Sequence, residues 1–156
     1  MELKLQLEDA KENAIKYMNK GYHCGPAVLQ VMWEAYDMQD ESYLWAGIPF
    51  MGGISGENKA TCGAVSAAAL AIGLHHRCSL EDKKEAKEAR NKIRDLSKNL
   101  VKEFREKFGH VTCQELLGID FLKPGAYLKF RASGVAEKKC IPYVNFLIEK
   151  LYAIEK

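Results

Sequence analysis

The sequence predicts an all-α protein, a compact single-domain bundle of about five to six helices with short connecting loops. Apolar residues recur with a period near 3.6 along most of the chain, and proline, glycine and N-capping signals separate the periodic stretches. No strand-turn-strand pattern competes with this periodicity. A length of 156 residues suits one domain with a substantial core. We therefore expect residues 1–156 to form a single domain.

The first half of the chain contains four predicted helices. The first covers about 10–18 and ends at Gly21, and the second covers about 26–38 with a wide apolar surface. A short helix is predicted at 41–45, before a glycine-rich segment. The helix at 62–73 consists of small apolar residues, so we expect it to be central and closely packed.

The second half is predicted to begin with the longest amphipathic helix, at 79–107, whose charged face should be solvated. A short helix is predicted at 113–117. The segment 119–139 has no clear period and contains glycine and proline, so it is expected to be a loop with one extended piece at 127–130. The last helix is predicted at 141–154.

Charge and hydropathy exclude several classes of function. The net charge is +2, from 23 basic and 21 acidic residues, so no strong field favours nucleic acid or an anionic membrane. The first residues lack the pattern of a signal peptide, and the longest apolar run is shorter than the roughly 18 residues that span a bilayer. We therefore expect a cytoplasmic protein without nucleic-acid or membrane partners.

The chain contains five cysteines, and because no export signal is recognised they are expected to stay reduced. A cysteine often serves only as a small buried side chain, and this remains one reading for each of the five. An odd number cannot all pair within one molecule. Catalysis, metal binding or redox chemistry is then the main alternative to simple packing.

Four of the cysteines share one position, the start of a predicted helix. They are Cys24 before Gly25-Pro26, Cys62 after Thr61, Cys113 within the capping box Thr112-Cys-Gln-Glu115, and Cys140 before Ile141-Pro142. At such positions backbone N–H groups are unpaired and the helix dipole is positive. Both effects favour the thiolate and lower the thiol pKa. We expect these four cysteines to gather into one site.

Two chemistries suit four such sulfurs. Thiolates are ligands for zinc and for iron–sulfur clusters, so all four could bind one metal centre used in electron transfer. Alternatively, Cys62 and Cys24 could form a catalytic thiol–disulfide pair, with Cys62 as the attacking thiolate because its predicted cap is the clearest. A helical interaction protein with purely structural cysteines is the third reading. The sequence contains no Cys-x-x-Cys motif, so spacing does not decide between them.

The remaining candidate donors carry less information. His75, His76 and Cys78 lie close together at a turn and could form a local metal site, although such groups are more often solvated. His23 and His110 are each near a site cysteine and could pair with a thiolate or act as a substitute ligand. Packing or solvent exposure is the more common role for each.

Several motifs resemble those of a known family. They are Gly21-Tyr-His-Cys24, Phe50-Met-Gly-Gly leading to Cys62-Gly63-Ala64, Phe108-Gly-x-x-Thr-Cys113-Gln-Glu-Leu-Leu-Gly118, and Cys140 before the last helix. Over about residues 10–154 the chain resembles the bacterial and archaeal C_GCAxxG_C_C family of redox-active proteins. The family's four cysteines correspond to Cys24, Cys62, Cys113 and Cys140. Cys78 has no counterpart, and Ala67 replaces the glycine of the family motif.

The resemblance implies an all-helical fold and a redox role. A similar cysteine arrangement in split-Soret cytochromes implies an iron–sulfur cluster, with zinc as the alternative, although their haem part has no equivalent here. The expected partner is a redox protein of unspecified identity. The apolar segment 43–54 could also form a homodimer contact. Whether the protein is an enzyme is left open.

Overall fold

The computed structural model describes residues 2–154, and in that range the regular secondary structure is helical. There are eight α-helices: α1 (Leu7–Asn19), α2 (Cys24–Ala35), α3 (Ser42–Gly47), α4 (Gly63–His75), α5 (Lys83–Phe108), α6 (Cys113–Leu117), α7 (Ala126–Ala132) and α8 (Ile141–Ile154). A π-helical turn, Ala136–Cys140, directly precedes α8. The all-α prediction is confirmed, but the predicted number of five to six helices was too low.

Local helix signals gave most boundaries to within a few residues. The helices α6 and α8 begin and end where the sequence predicted. The helix α5 begins after Asp82, whose carboxylate accepts hydrogen bonds from the N–H groups of Lys84 and Glu85. It ends at Gly109, which adopts a left-handed conformation.

The prediction of a loop with an extended piece at 127–130 was wrong, because these residues form α7. Its aromatic residues favour strands by propensity, but Tyr127 and Phe130 are three positions apart and share one helix face. Both rings pack on Phe121, at centroid distances of 5.4 and 5.1 Å. This tertiary contact explains the helix, which begins after Gly125 in a left-handed conformation.

The geometry directly before the last helix differs from the prediction. Cys140 ends a π-helical turn that runs directly into α8, so it does not occupy an open helix N-terminus. Pro142 lacks an N–H group, and its ring would crowd the carbonyl of Lys138 in a regular helix. The wider turn relieves that crowding, which accounts for the π-helical geometry.

The core is built around α4, which packs against α2, α5 and α8. The helix α4 contributes small side chains, so its neighbours approach closely. Fully buried residues of the three central helices include Val28, Leu29 and Met32 of α2, Ala64, Ala68 and Ala71 of α4, and Leu147, Ile148 and Leu151 of α8. None of the helices within residues 2–154 combines the length and apolar character needed to cross a bilayer.

Candidate redox site of four cysteines

The four cysteines at predicted helix starts line one small cavity of about 20 Å³, which we call the inner cavity. The other lining residues are Ala64, Leu116, Leu117 and Tyr143. Cys62 and Cys113 are buried, whereas Cys24 and Cys140 are partly exposed. Because 37, 50 and 26 residues separate them along the chain, tertiary contacts must bring them together.

Cys24 and Cys62 meet because the glycine after each of them has no side chain. A Cβ atom on Gly63 would lie 2.2 Å from the carbonyl oxygen of Phe50, and one on Gly25 would lie 1.9 Å from the same atom. A Cβ on Gly25 would also lie 2.8 Å from the carbonyl oxygen of Gly63. Only glycine at both positions allows the starts of α2 and α4 to approach the Phe50 backbone this closely.

Cys62 and Cys113 are joined by a short antiparallel pairing of their backbones. The N–H of Cys62 donates to the carbonyl of Val111 at 2.7 Å, and the N–H of Cys113 donates to the carbonyl of Ala60 at 3.1 Å. Between them, Thr61 and Thr112 form an isolated β-bridge. This pairing fixes the start of α6 beside the start of α4.

Cys140 is brought to the site by two bonds to one carbonyl oxygen. The hydroxyl of Tyr143 donates to the carbonyl of Leu116 at 3.2 Å, and the ammonium of Lys139 donates to the same oxygen at 3.3 Å. Leu116 is in the last turn of α6, where carbonyls lack intrahelical partners. The π-helical turn is therefore held against α6.

The sulfur of Cys24 is the best stabilised anion site of the four. The Cys62 thiol donates a hydrogen bond to it, and the backbone N–H groups of Gly25 and Ala64 also donate, so the pKa of Cys24 is lowered despite its burial. The same thiol–sulfur bond, together with burial, raises the pKa of Cys62 well above its ordinary value. Ionisation of the pair is therefore favoured at Cys24, with Cys62 as the thiol.

Cys113 and Cys140 have a different environment. Burial, and to a lesser extent the nearby Cys24 charge, raise the pKa of Cys113 to about 12, although a hydrogen bond with Asn58 opposes the shift. The pKa of Cys140 is also raised. Burial is the largest cause, and the charges of Cys24 and Cys113 add to it. Helix-start placement alone did not predict this result, since it implied a lowered pKa for both thiols.

Asn58 is a site residue that the sequence did not indicate. It is fully buried, and its side-chain amide donates to the carbonyl of Ile119 while its amide oxygen accepts the N–H of Phe121 at 3.2 Å. Its backbone carbonyl accepts the N–H of Gln114 at 2.6 Å. Asn58 thus ties the segment after α6 to the start of α6, beside Cys113. In the sequence it resembles any polar residue of a turn-rich loop.

The side chains around the inner cavity are not arranged as a metal centre. Within residues 2–154 no group of three or more His, Cys, Asp and Glu side chains is placed to hold one metal ion. The inner cavity of about 20 Å³ has room for roughly one water molecule. Zinc or an iron–sulfur cluster would therefore require the four cysteine side chains to reorient.

The predicted histidine donors lie in varied environments. His110 is exposed and its Nδ1 lies 3.0 Å from a carboxylate oxygen of Glu115, outside the inner cavity. His23 caps α2, and burial together with Arg131 lowers its pKa. The ring of His75 lies 4.7 Å from that of Tyr36, and burial lowers the His75 pKa to about 4.

A second, larger space adjoins the inner cavity. This outer cavity has a volume of about 240 Å³, and Cys24, Cys113 and Cys140 line it together with His23. Cys62 lines only the inner cavity. Cys24 is therefore the member of the hydrogen-bonded pair that faces the larger space.

Fold and site together define a helical protein in which four cysteines converge on one small cavity. Residues 22–154 match the profile of the family described as "Putative redox-active protein (C_GCAxxG_C_C)". The match covers most of the chain, so the chain belongs to this family, as its cysteine motifs indicated. No curated protein and no solved structure matches the chain.

Proposed function

We propose that the protein is a thiol–disulfide redox protein in which Cys24 and Cys62 form the reactive dithiol. The observation that carries this proposal is that Cys24 and Cys62 line the same cavity of about 20 Å³ and interact there, each thiol shifting the pKa of the other. A disulfide needs two cysteines that face each other at close range, and this pair meets at one small cavity. Oxidation of the pair forms one S–S bond and releases two electrons and two protons.

The roles of the two cysteines follow from burial and hydrogen bonding. Cys24 is the attacking thiolate, because the Cys62 thiol and backbone N–H donors lower its pKa and it faces the outer cavity. Cys62 is the resolving thiol, since it is 5% exposed and lies behind Cys24. The attacking role expected for Cys62 from its predicted cap therefore passes to Cys24, and Cys62 itself occupies the N-cap position of α4.

Cys113 and Cys140 are proposed to keep the site protonated and apolar around the reactive pair. Their raised pKa values leave them as thiols at neutral pH, so ionisation at the site is favoured on Cys24 alone. A neutral thiol beside Cys24 avoids the repulsion that a second thiolate in the same small cavity would cause. The two additional cysteines thus favour a defined ionisation state.

A second candidate function is electron transfer by an iron–sulfur cluster held by Cys24, Cys62, Cys113 and Cys140, with zinc as the alternative metal. Convergence of all four on one cavity favours it. When bound, a cluster supplies one-electron transfer, and the N–H groups of Gly25 and Ala64 that now point at Cys24 would tune its potential. The protein's redox partner in either case is proposed to be another protein or a small thiol.

One experiment on a single preparation of the protein distinguishes the two functions. The protein is purified without oxygen, analysed for iron, sulfide and zinc, and then oxidised with diamide before mass-spectrometric mapping of disulfides. We expect no stoichiometric metal and a Cys24–Cys62 disulfide as the main product. Cys62→Ser should abolish that product, whereas Cys78→Ser is the matched control and should retain it.

Two results would contradict the dithiol proposal. Stoichiometric iron and acid-labile sulfide with visible absorption, lost in each of the four cysteine variants and retained in Cys78→Ser, would establish the cluster instead. Oxidation that yields Cys24–Cys62 no more often than other pairs would also reject the dithiol.

A further inference from the structure

We infer that the outer cavity is the binding site for a low-molecular-weight disulfide that carries both a carboxylate and an ammonium group, as an amino-acid disulfide does. This inference rests on the proposed dithiol function and names its substrate class. The position of the cavity, its size and the charges on its wall all favour such a ligand.

The outer cavity lies directly in front of the attacking sulfur. Its wall is contributed by Met18 of α1, Cys24 of α2, Leu117 of α6, Phe130 of α7 and Cys140 of the π-helical turn. Walls from five separate elements surround a ligand on several sides. A substrate bound there would contact Cys24 while Cys62 remained behind it.

The size of the outer cavity favours a small ligand. Its volume of about 240 Å³ is below the roughly 300–1,000 Å³ of sites for drug-sized molecules. The space is more than ten times that of the inner cavity, so it admits an organic molecule where the inner cavity does not. A disulfide of a small thiol is smaller than a drug-sized ligand and too large for the inner cavity, so it suits the outer cavity.

The wall combines apolar surface with one charge of each sign. Phe121, Tyr127 and Phe130 provide aromatic faces, which suit the polarisable sulfurs and methylene groups of a disulfide. Among the described lining residues, Arg131 is the cation and Glu137 the anion. An arginine suits a carboxylate and a glutamate suits an ammonium group, so a zwitterionic ligand matches this wall.

The reaction balances without a further co-reactant. The Cys24 thiolate attacks one sulfur of the substrate disulfide RSSR, forming a mixed disulfide and releasing RS⁻. Cys62 then attacks the Cys24 sulfur, which forms the Cys24–Cys62 bond and releases the second R–S group. Two electrons pass from the protein to the substrate, and the Cys62 proton leaves with one of the two released thiols as RSH.

The test compares four disulfides that differ in charge. Reduced protein is mixed with cystine, cystamine, dithiodipropionate or hydroxyethyl disulfide, and the rate of each is divided by its rate with free glutathione to remove intrinsic reactivity. We expect the normalised rate with cystine to exceed that with hydroxyethyl disulfide at least tenfold. Mass spectrometry of Cys62→Ser protein should place the trapped mixed disulfide on Cys24.

Charge variants test the wall directly. Arg131→Gln should reduce the cystine-to-hydroxyethyl-disulfide rate ratio at least fivefold, and Glu137→Gln should reduce the preference for cystine over dithiodipropionate. The matched controls Arg94→Gln and Glu88→Gln alter exposed charges of α5 and should keep both ratios.

The outcomes separate this inference from the proposed function. Equal normalised rates for all four disulfides, or ratios unchanged in Arg131→Gln, would overturn the binding site even if diamide still produced the Cys24–Cys62 disulfide. Rapid oxidation by a protein disulfide but not by any small disulfide would also overturn it. A chain that forms no Cys24–Cys62 disulfide with diamide would instead reject the proposed function.

Discussion

The cysteine site has two halves, Cys24 with Cys62 and Cys113 with Cys140. They differ in the hydrogen-bond donors that the protein places around the sulfurs. Cys24 accepts hydrogen bonds from Cys62 and from backbone N–H groups at the starts of α2 and α4. Cys113 and Cys140 are dominated by burial, which raises both pKa values. The comparison teaches that placement at a helix start lowers a thiol pKa only where the hydrogen bonds donated to the sulfur outweigh burial, as they do at Cys24.

The glycine contact between α2 and α4 is the most sensitive part of the first half. Gly63→Ala would place a Cβ 2.2 Å from the Phe50 carbonyl oxygen, and no flexible side chain can move aside. We expect a loss of about 3 kcal/mol in the free energy of unfolding, at the upper end for overpacking. Disulfide formation between Cys24 and Cys62 should slow at least tenfold. Urea denaturation and diamide oxidation measure the two effects.

Gly73→Ala is the control for that variant. Gly73 is also in α4, but a Cβ there would meet nothing within 4 Å. Alanine favours helix over glycine, so this variant should be unchanged or up to about 1 kcal/mol more stable. Equal stability of Gly63→Ala and Gly73→Ala would disprove the close approach.

The two halves should also differ in reactivity at neutral pH. Three pKa units separate Cys113, at about 12, from the ordinary value of 9.0, and Cys24 lies below that value. Lower intrinsic nucleophilicity of the more acidic thiolate offsets part of this difference, so alkylation of Cys24 should be about 40-fold faster or more. Iodoacetamide labelling of reduced protein, read by mass spectrometry, measures the ratio. Comparable alkylation rates of Cys24 and Cys113 in the folded protein would contradict the difference in their pKa values.

Asn58 lies beside Cys113 and provides a test of that half of the site. Asn58→Ala would leave the buried carbonyl of Ile119 and the N–H of Phe121 without their partner, at a cost of about 2 kcal/mol. It should also raise the pKa of Cys113 further, because the opposing hydrogen bond is lost. The control is Asn91→Ala on the exposed surface of α5, which should not destabilise. Similar unfolding free energies for the two variants would show that Asn58 is dispensable.

The smallest expected effect is the alkaline stability of the reduced protein. The folded chain holds the Cys113 proton up to about pH 12, whereas the unfolded chain releases it near 9.0. This stabilisation is fully present below about pH 9 and is lost between pH 9 and 12, with about 1.4 kcal/mol lost by pH 10. Cys113→Ala should lose less stability between pH 8 and pH 10 than the native chain, each compared with its own value at pH 8. An identical loss in both would contradict the raised pKa.

Much of the fold could be predicted from local signals. The capping box is confirmed, since Thr112 accepts the N–H of Glu115 and its hydroxyl donates to the Glu115 carboxylate at 2.8 Å. The apolar period of α8 likewise gave both of its ends. Such features depend on residues within one or two turns, and the sequence displays them directly.

Features that depend on distant contacts could not be predicted. The helix α7 is explained by packing on Phe121, and the importance of Gly25 and Gly63 depends on the position of the Phe50 carbonyl. The identity of the four site cysteines was apparent from their positions and motifs. Their division into one cysteine with a lowered pKa, Cys24, and three with raised pKa values depends on the balance between burial and hydrogen bonding at each sulfur.

The backbone pairing that joins Cys62 to Cys113 has a consequence for folding. It links segments about 50 residues apart, so the site assembles only after long-range contacts form. In the unfolded chain the shortest loop between cysteines joins Cys62 to Cys78, with 15 residues between them, and loop-closure entropy favours that pair. Oxidation before folding would therefore trap Cys62 in the wrong disulfide, so productive folding needs a reducing environment until the pairing has formed.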